Sequence, residues 1–328
     1  MKQWIVLAAL VVVWLTGCEK QQPMNVPQSV QQRLNRLPAG VDFVAYWNHD
    51  NIKKSNLIQS WFERLQREIL QNTDDSAYQL LKYVFAQIKI DELIVALDVH
   101  PGQQPSGYAI VTGVMQPDSF MIQLRVKSED TQFSIEKVAI HEKPAYRMQA
   151  NDWSYVLLMA GERQYYFGPE TWIRRMAKGE PAPESATQDS ILSRLLANVA
   201  FGDQMWMLVN QPMQIGDVQA SGRLTPQMQL IREAVQAAVL SVRLNDDVQF
   251  DSKIICDSAE NSELLADLIR GGLAAAKLSV AGERELIDEI NRIKVDAQQS
   301  RVWIQGRLTQ RFFDRAEAFG RQMHFKGL

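Results

Sequence analysis

The sequence predicts an α+β body: a mainly antiparallel sheet with helices on one face, built as two similar lobes or as one long sheet of hairpin–helix units. Three observations predict it. Short β-prone runs recur along the chain, joined by turns too short for a parallel crossover. Amphipathic stripes with a period near 3.6 are set between them. The composition is that of a globular protein, with 328 residues, 46% hydrophobic and 22% charged. This excludes a disordered chain, a collagen and a coiled-coil rod. A formal net charge of -3, from 35 basic and 38 acidic residues, supplies no basic surplus for neutralising phosphates and argues against a nucleic-acid partner. A mean hydropathy of -0.22 excludes a polytopic membrane protein.

The chain begins with an address. Lys2 precedes eleven uncharged apolar residues, 5–15 (IVLAALVVVWL), followed by Thr16, Gly17 and Cys18. A membrane-spanning helix needs about 20 apolar residues, so eleven match the core of a signal peptide. Leu15-Thr16-Gly17-Cys18 resembles the lipobox of bacterial lipoproteins. The resemblance covers only the leader. It implies cleavage between Gly17 and Cys18, acylation of Cys18 and anchoring of the mature chain to a membrane through its acyl chains. An Asp after the lipidated Cys tends to retain such proteins in the inner membrane. Here the position is Glu19, which favours the outer membrane, facing the periplasm. Residues 18–40 are rich in Gln and Pro and read as the lipidated Cys and a flexible tether, with a short helix near 30–37 touching the body through Leu34 and Leu37.

The body then reads element by element. Residues 41–47 form a strand. Helical stripes follow at 55–69 and 75–87. Strands at 92–99 and 108–115 flank a Pro- and Gly-containing turn, with a helix from Pro117. Strands at 132–140, 145–150, 154–159 and 164–167 are joined by short turns. A helix from Pro169 ends at Gly179, suited to the left-handed position after a helix. Residues 179–186, with two Pro and no apolar pattern, mark a boundary between an N-terminal lobe (41–179) and a C-terminal lobe (187–328). In the second lobe a helical stripe at 191–199 precedes a strand at 204–210. Strands at 238–244 and 248–256 then lead to a helix through Leu264 and Leu273, and strands at 293–297 and 301–308 to a last helix. Hairpin–helix units thus occur at 91–126, 238–278 and 293–320. The pattern over 41–320 loosely resembles secreted bacterial proteins built from such units, without a signature motif, and carries over no functional residue.

Chemistry is sparse. The sequence has no phosphate-cradling glycine loop, no GxSxG, no CxxC and no complete HExxH, since Ala145 stands where the second His would be. No cofactor or metal is implied. His49, His100, His141 and His324 stand apart and read as loop or turn residues; only a spatial convergence of His49, His100 and His141 would make a site. Asp246 and Asp247 read as turn residues. Cys256 shares a strand face with Val248, Phe250, Ser252 and Ile254 and reads as a core residue. Trp153, Tyr155, Tyr165 and Trp172, with Tyr166 and Phe167, form the densest aromatic cluster. It reads as sheet core or as a ligand or partner surface, with Tyr155 and Tyr165 facing each other across the turn at Gly161.

These readings lead to a non-enzymatic, periplasm-facing lipoprotein that binds or scaffolds an envelope protein partner. A carrier of an apolar ligand such as a lipid is the second reading. An enzyme whose residues, His100 and His141 first, assemble only in space is the third.

Overall fold

A computed structural model describes residues 26–52, 54–55, 88–99, 106–115, 133–150, 153–182, 184–210 and 233–315. The leader, with Gly17, Cys18 and Glu19, lies outside the described residues. So do the expected helices at 56–69, 75–87 and 117–126, and His100 and His324.

Twelve strands form one sheet, and every neighbouring pair is antiparallel. In chain order they are β1 (Phe43–Asn48), β2 (Ile88–Asp98), β3 (Ser106–Met115), β4 (Phe133–Ile140), β5 (Lys143–Ala150), β6 (Trp153–Met159), β7 (Gln164–Pro169), β8 (Met205–Asn210), β9 (Val235–Leu244), β10 (Asp247–Cys256), β11 (Lys294–Gln298) and β12 (Arg301–Thr309). Their order across the sheet is β11-β12-β10-β9-β8-β1-β2-β3-β7-β6-β5-β4. The described helices are α1 (Gln28–Leu34), α2 (His49–Ile52), α3 (Glu170–Lys178), α4 (Ser190–Leu196), α5 (Ala259–Ser279) and α6 (Arg284–Asn291).

The sheet has two similar halves that meet at β1 and β8. Each half opens with a strand (β1, β8) and continues with a hairpin (β2–β3, β9–β10). After an excursion, each brings its last strand (β7, β12) back beside the second hairpin strand. The opening strands share one burial pattern, with Val44 and Tyr46 matched by Trp206 and Leu208. Pairing of β1 with β8 makes the two halves one continuous sheet.

Period-two alternation gives the sheet a front and a back. On the front, Val44, Tyr46, Ile94, Trp206 and Leu208 meet Leu34 of α1, Ile173 of α3 and Leu195 of α4 in the main core. On the back of the C-terminal half, Cys256, Val295 and Val302 meet Leu265 and Ala266 of α5 in a separate core. The front core thus runs from the N-terminal half across β8 and β9, with α4 over those two strands, while α5 covers the back of β10–β12. A further apolar cluster, including Val111, Met148, Leu157 and Tyr165, lies on the back of the N-terminal half.

The end of the expected tether belongs to this body. Val30, Leu34 and Leu37 are buried in the main core, so the folded part begins before residue 41. The expected lobe boundary at 179–186 is likewise packed: Ala186 N donates to Leu37 O at 3.0 Å and Ala39 N to Glu184 O at 2.9 Å. The described residues 180–182 and 184–186 form a strap whose backbone bonds go to residues 35–39. Gly179 caps α3 as expected, at φ 76°. No described helix is long and apolar enough to cross a membrane.

Candidate functional site

The expected aromatic surface is mostly core. Trp172 and Tyr165 are 5% and 4% exposed. Trp172 donates through Nε1 to Arg36 O at 2.9 Å and meets Tyr108 and Tyr166 edge-on. The Tyr165 hydroxyl accepts from Met115 N at 3.2 Å. Tyr155 stacks on Phe167 with ring centres 5.2 Å apart, and its hydroxyl accepts from Gly107 N at 3.0 Å. Tyr155 and Tyr165 are not opposite each other; their partners in register are Pro169 and Met159. Trp153 pairs with Ala150 at the start of β6, and its side chain lies outside the described set. Of the two readings of this cluster, Tyr165 and Trp172 fit the core one: their polar atoms are taken up by backbone groups inside the fold.

The two described histidines, His49 and His141, are not brought together. His49 opens α2, beyond the end of β1, while His141 and Glu142 form the turn between β4 and β5 at φ 47° and 65°. Six strand spacings separate β1 from β4, a span of roughly 25 Å or more. Among the described residues no three His, Cys, Asp or Glu side chains could share a metal ion. Cys256 lies in the α5 core, where burial, and then the neighbouring Asp257, push its thiol up from the ordinary value. It is a packed neutral thiol, as its strand position predicts.

The structure instead places a cleft on the front of the C-terminal half. Its volume is about 630 Å³, within the range of small-ligand sites. It lies beyond β9, where no described helix covers the front, and residues 197–200 after α4 form one wall. The floor is set by register. Arg243, Gln249 and Arg307 occupy one row across β9, β10 and β12; Asp251, Gln305 and Lys294 occupy the next. Lys253 stands one row further on, with its Nζ donating to Asn198 O at 3.2 Å.

Three arginines on this cleft are held in the same way. Arg243 pairs with Asp203 at 2.8 Å, with side chains 49% and 8% exposed. Arg292 pairs with Glu289 at 2.7 Å, at 48% and 8%. Arg307 pairs with Asp247, at 64% and 5%. In each pair the carboxylate is buried and the guanidinium faces solvent. The carboxylates are fixed by further bonds: Glu289 accepts from Thr309 N at 2.8 Å and from Thr309 Oγ1 at 3.0 Å, and Asp247 from Gln249 Nε2 at 3.1 Å. A guanidinium has five donors, so one carboxylate leaves several N–H groups for a ligand. Five basic residues line the cleft against Asp203 and Asp251. With Asp247 and Glu289 beneath, one positive charge remains in surplus. None of the described lining residues is Ser, Cys or His. No protein-family model, curated protein or solved structure matches the chain.

Sequence reading passed over these arginines. Asp247 does sit beside the hairpin turn, as read, but it also anchors Arg307. The available signal was the polar alternation of Asp247, Gln249, Asp251 and Lys253 on β10 and of Gln305, Arg307 and Thr309 on β12, which reads equally as a solvated face.

Proposed function

We propose that this chain is a lipid-anchored, periplasm-facing component of the bacterial cell envelope, held through acyl chains on Cys18, with the outer membrane favoured. It acts by binding rather than by catalysis, and its front cleft takes an anionic, polar partner. The observation that carries this reading is the set of three half-exposed guanidiniums, each resting on a buried carboxylate around one cleft. Such an arginine has already lost its conformational freedom, so less is lost when a ligand binds. The guanidinium fork matches carboxylate and phosphate oxygens in pairs. Lys253 and Lys294 add unbranched cations on the same floor, and a positive cleft on an acidic protein concentrates anions locally. The polar lining supports this reading over an apolar-ligand carrier.

Two measurements test it. Calorimetric titration of the detergent-solubilised chain with pyrophosphate should show saturable binding that weakens with salt. It should be lost in R243A/R307A. No binding by the wild-type chain, or unchanged binding by the double variant, refutes the cleft. Labelled palmitate should enter the wild-type protein and not C18S; label in both refutes the anchor.

A further inference from the structure

Helix α5 carries a surface of a different kind. Its inner side buries Leu265 and Ala266 against the sheet. Its outer side leaves Leu264, Leu268 and Leu278 at 55%, 48% and 77% exposure. Leu264, Leu268, Gly271, Ala275 and Leu278 follow at intervals of four, three, four and three residues, and all five are exposed. That alternation is the seam of a paired helix. Isolated exposed leucines are ordinary, but a continuous row on one helix marks an interaction surface.

The seam differs from end to end. Its first half presents the large Leu264 and Leu268, its second half the small Gly271 and Ala275. Charge follows the same division. Glu260, Glu263 and Asp267 stand toward the N-terminus and Lys277 toward the C-terminus, whereas Arg270 is engaged with Val295 O and Asp267. An antiparallel copy of the same helix matches both gradients in a single register. Leu264 then lies over Ala275 of the second copy and Leu268 over its Gly271, so a large side chain meets a small one in each layer. Glu263 falls beside Lys277 of the second copy. Parallel pairing would set Gly271 on Gly271, leaving a void, and Glu263 on Glu263.

We infer that the outer face of α5 pairs with the α5 of a second copy of this chain, antiparallel about a two-fold axis. The contact is isologous, so it closes at two subunits. It is independent of the cleft, which lies on the other face of the sheet.

The full chain in detergent should sediment as a dimer at micromolar concentration, and L264E/L268E should be monomeric. Both side chains are exposed in the single chain, so its melting temperature should match that of the wild type diluted to a monomer, separating lost association from lost folding. Oxidative crosslinking then reads the register. L264C/A275C should form a covalent dimer, whereas L264C alone should not. In the antiparallel arrangement the two copies of position 264 are about 16 Å apart along the helix axis, beyond disulfide reach. A monomeric wild-type chain, a dimer that survives L264E/L268E, or crosslinking of L264C alone as efficient as that of the pair each overturns the inference.

Discussion

One row of side chains crosses all twelve strands on the front of the sheet, and its two ends have opposite fates. From β4 to β8 it runs through Val138, Leu158, Tyr166, Ile94 and Tyr46 to Trp206. From β9 to β11 it continues as Ser241, Asp251, Gln305 and Lys294. The backbone pairing is the same throughout. The difference lies in what is laid over it: α1, α3 and α4 cover the first part, while in the second α5 has moved to the back. Strands β10–β12 thus have their apolar core behind the sheet and the polar cleft in front. The N-terminal half has apolar clusters on both sides.

The sharpest way to break this comparison is to truncate both ends of the row. Tyr166→Ala removes a ring that is 1% exposed, and should destabilise the fold by about 3–5 kcal/mol. Asp251→Ala, on the same row, should stay within about 0.5 kcal/mol. Urea unfolding of both variants checks this, and comparable costs would dissolve the distinction between a core end and a cleft end.

A smaller effect separates holding from binding. Asp91 and Arg163 in the N-terminal half repeat this pairing of a buried carboxylate with an exposed guanidinium, at 9% and 58% exposure, and lie outside the lining of the cleft. Arg163→Ala and Arg307→Ala each leave a buried carboxylate without its main partner, at a cost of about 1–3 kcal/mol. Only Arg307→Ala should also weaken pyrophosphate binding. Equal losses of binding in the two variants would show a global effect of folding.

A third difference is in acid. Glu170, at the start of α3, accepts from Arg147 Nε at 3.0 Å and is also bonded by Arg174. The Arg147 bond outweighs burial and holds its carboxyl below the ordinary 4.5. A depressed carboxyl contributes stability that is present above its unfolded value and lost as pH falls through the folded one. Acid should therefore loosen the α3 side of the N-terminal half, and Glu170→Gln should flatten that part of the stability curve. Melting temperatures from pH 7 to pH 3 read the difference, and an unchanged slope in the variant removes Glu170 from the account.

How far each region was legible follows from range. The strands declare themselves locally, because alternation over six to ten residues suffices, and those expected at 41–47, 108–115 and 248–256 lie where β1, β3 and β10 form. Helix α6 escaped notice because Leu286 and Ile290 stand among charged residues over barely two turns. The cleft could not be read. Asp247 and Arg307 are 60 positions apart in sequence and meet only because β10 pairs with β12. Nothing local tells a buried Asp from a turn Asp. The aromatic cluster shows the same limit: composition reveals that Tyr165 and Trp172 lie close in the chain, whereas only the fold shows that both are covered.

The smallest expected effect lies where the halves join. Trp206 is 2% exposed, stacked on Tyr46 with ring centres 5.5 Å apart, and its Nε1 has no hydrogen-bond partner among the described residues. Beside it, burial raises the Tyr46 hydroxyl to about 12, and that hydroxyl donates to Glu92 Oε1 at 3.0 Å. An unmet buried N–H costs about 1–3 kcal/mol. Trp206→Phe removes that penalty and leaves a small void, a cost of similar size and opposite sign. The two should cancel to within about 1 kcal/mol, although Trp206→Ala should cost several times more. A large loss of stability in Trp206→Phe, measured by urea unfolding, would mean that the indole N–H is satisfied in solution by a group or water that the fold admits at the seam.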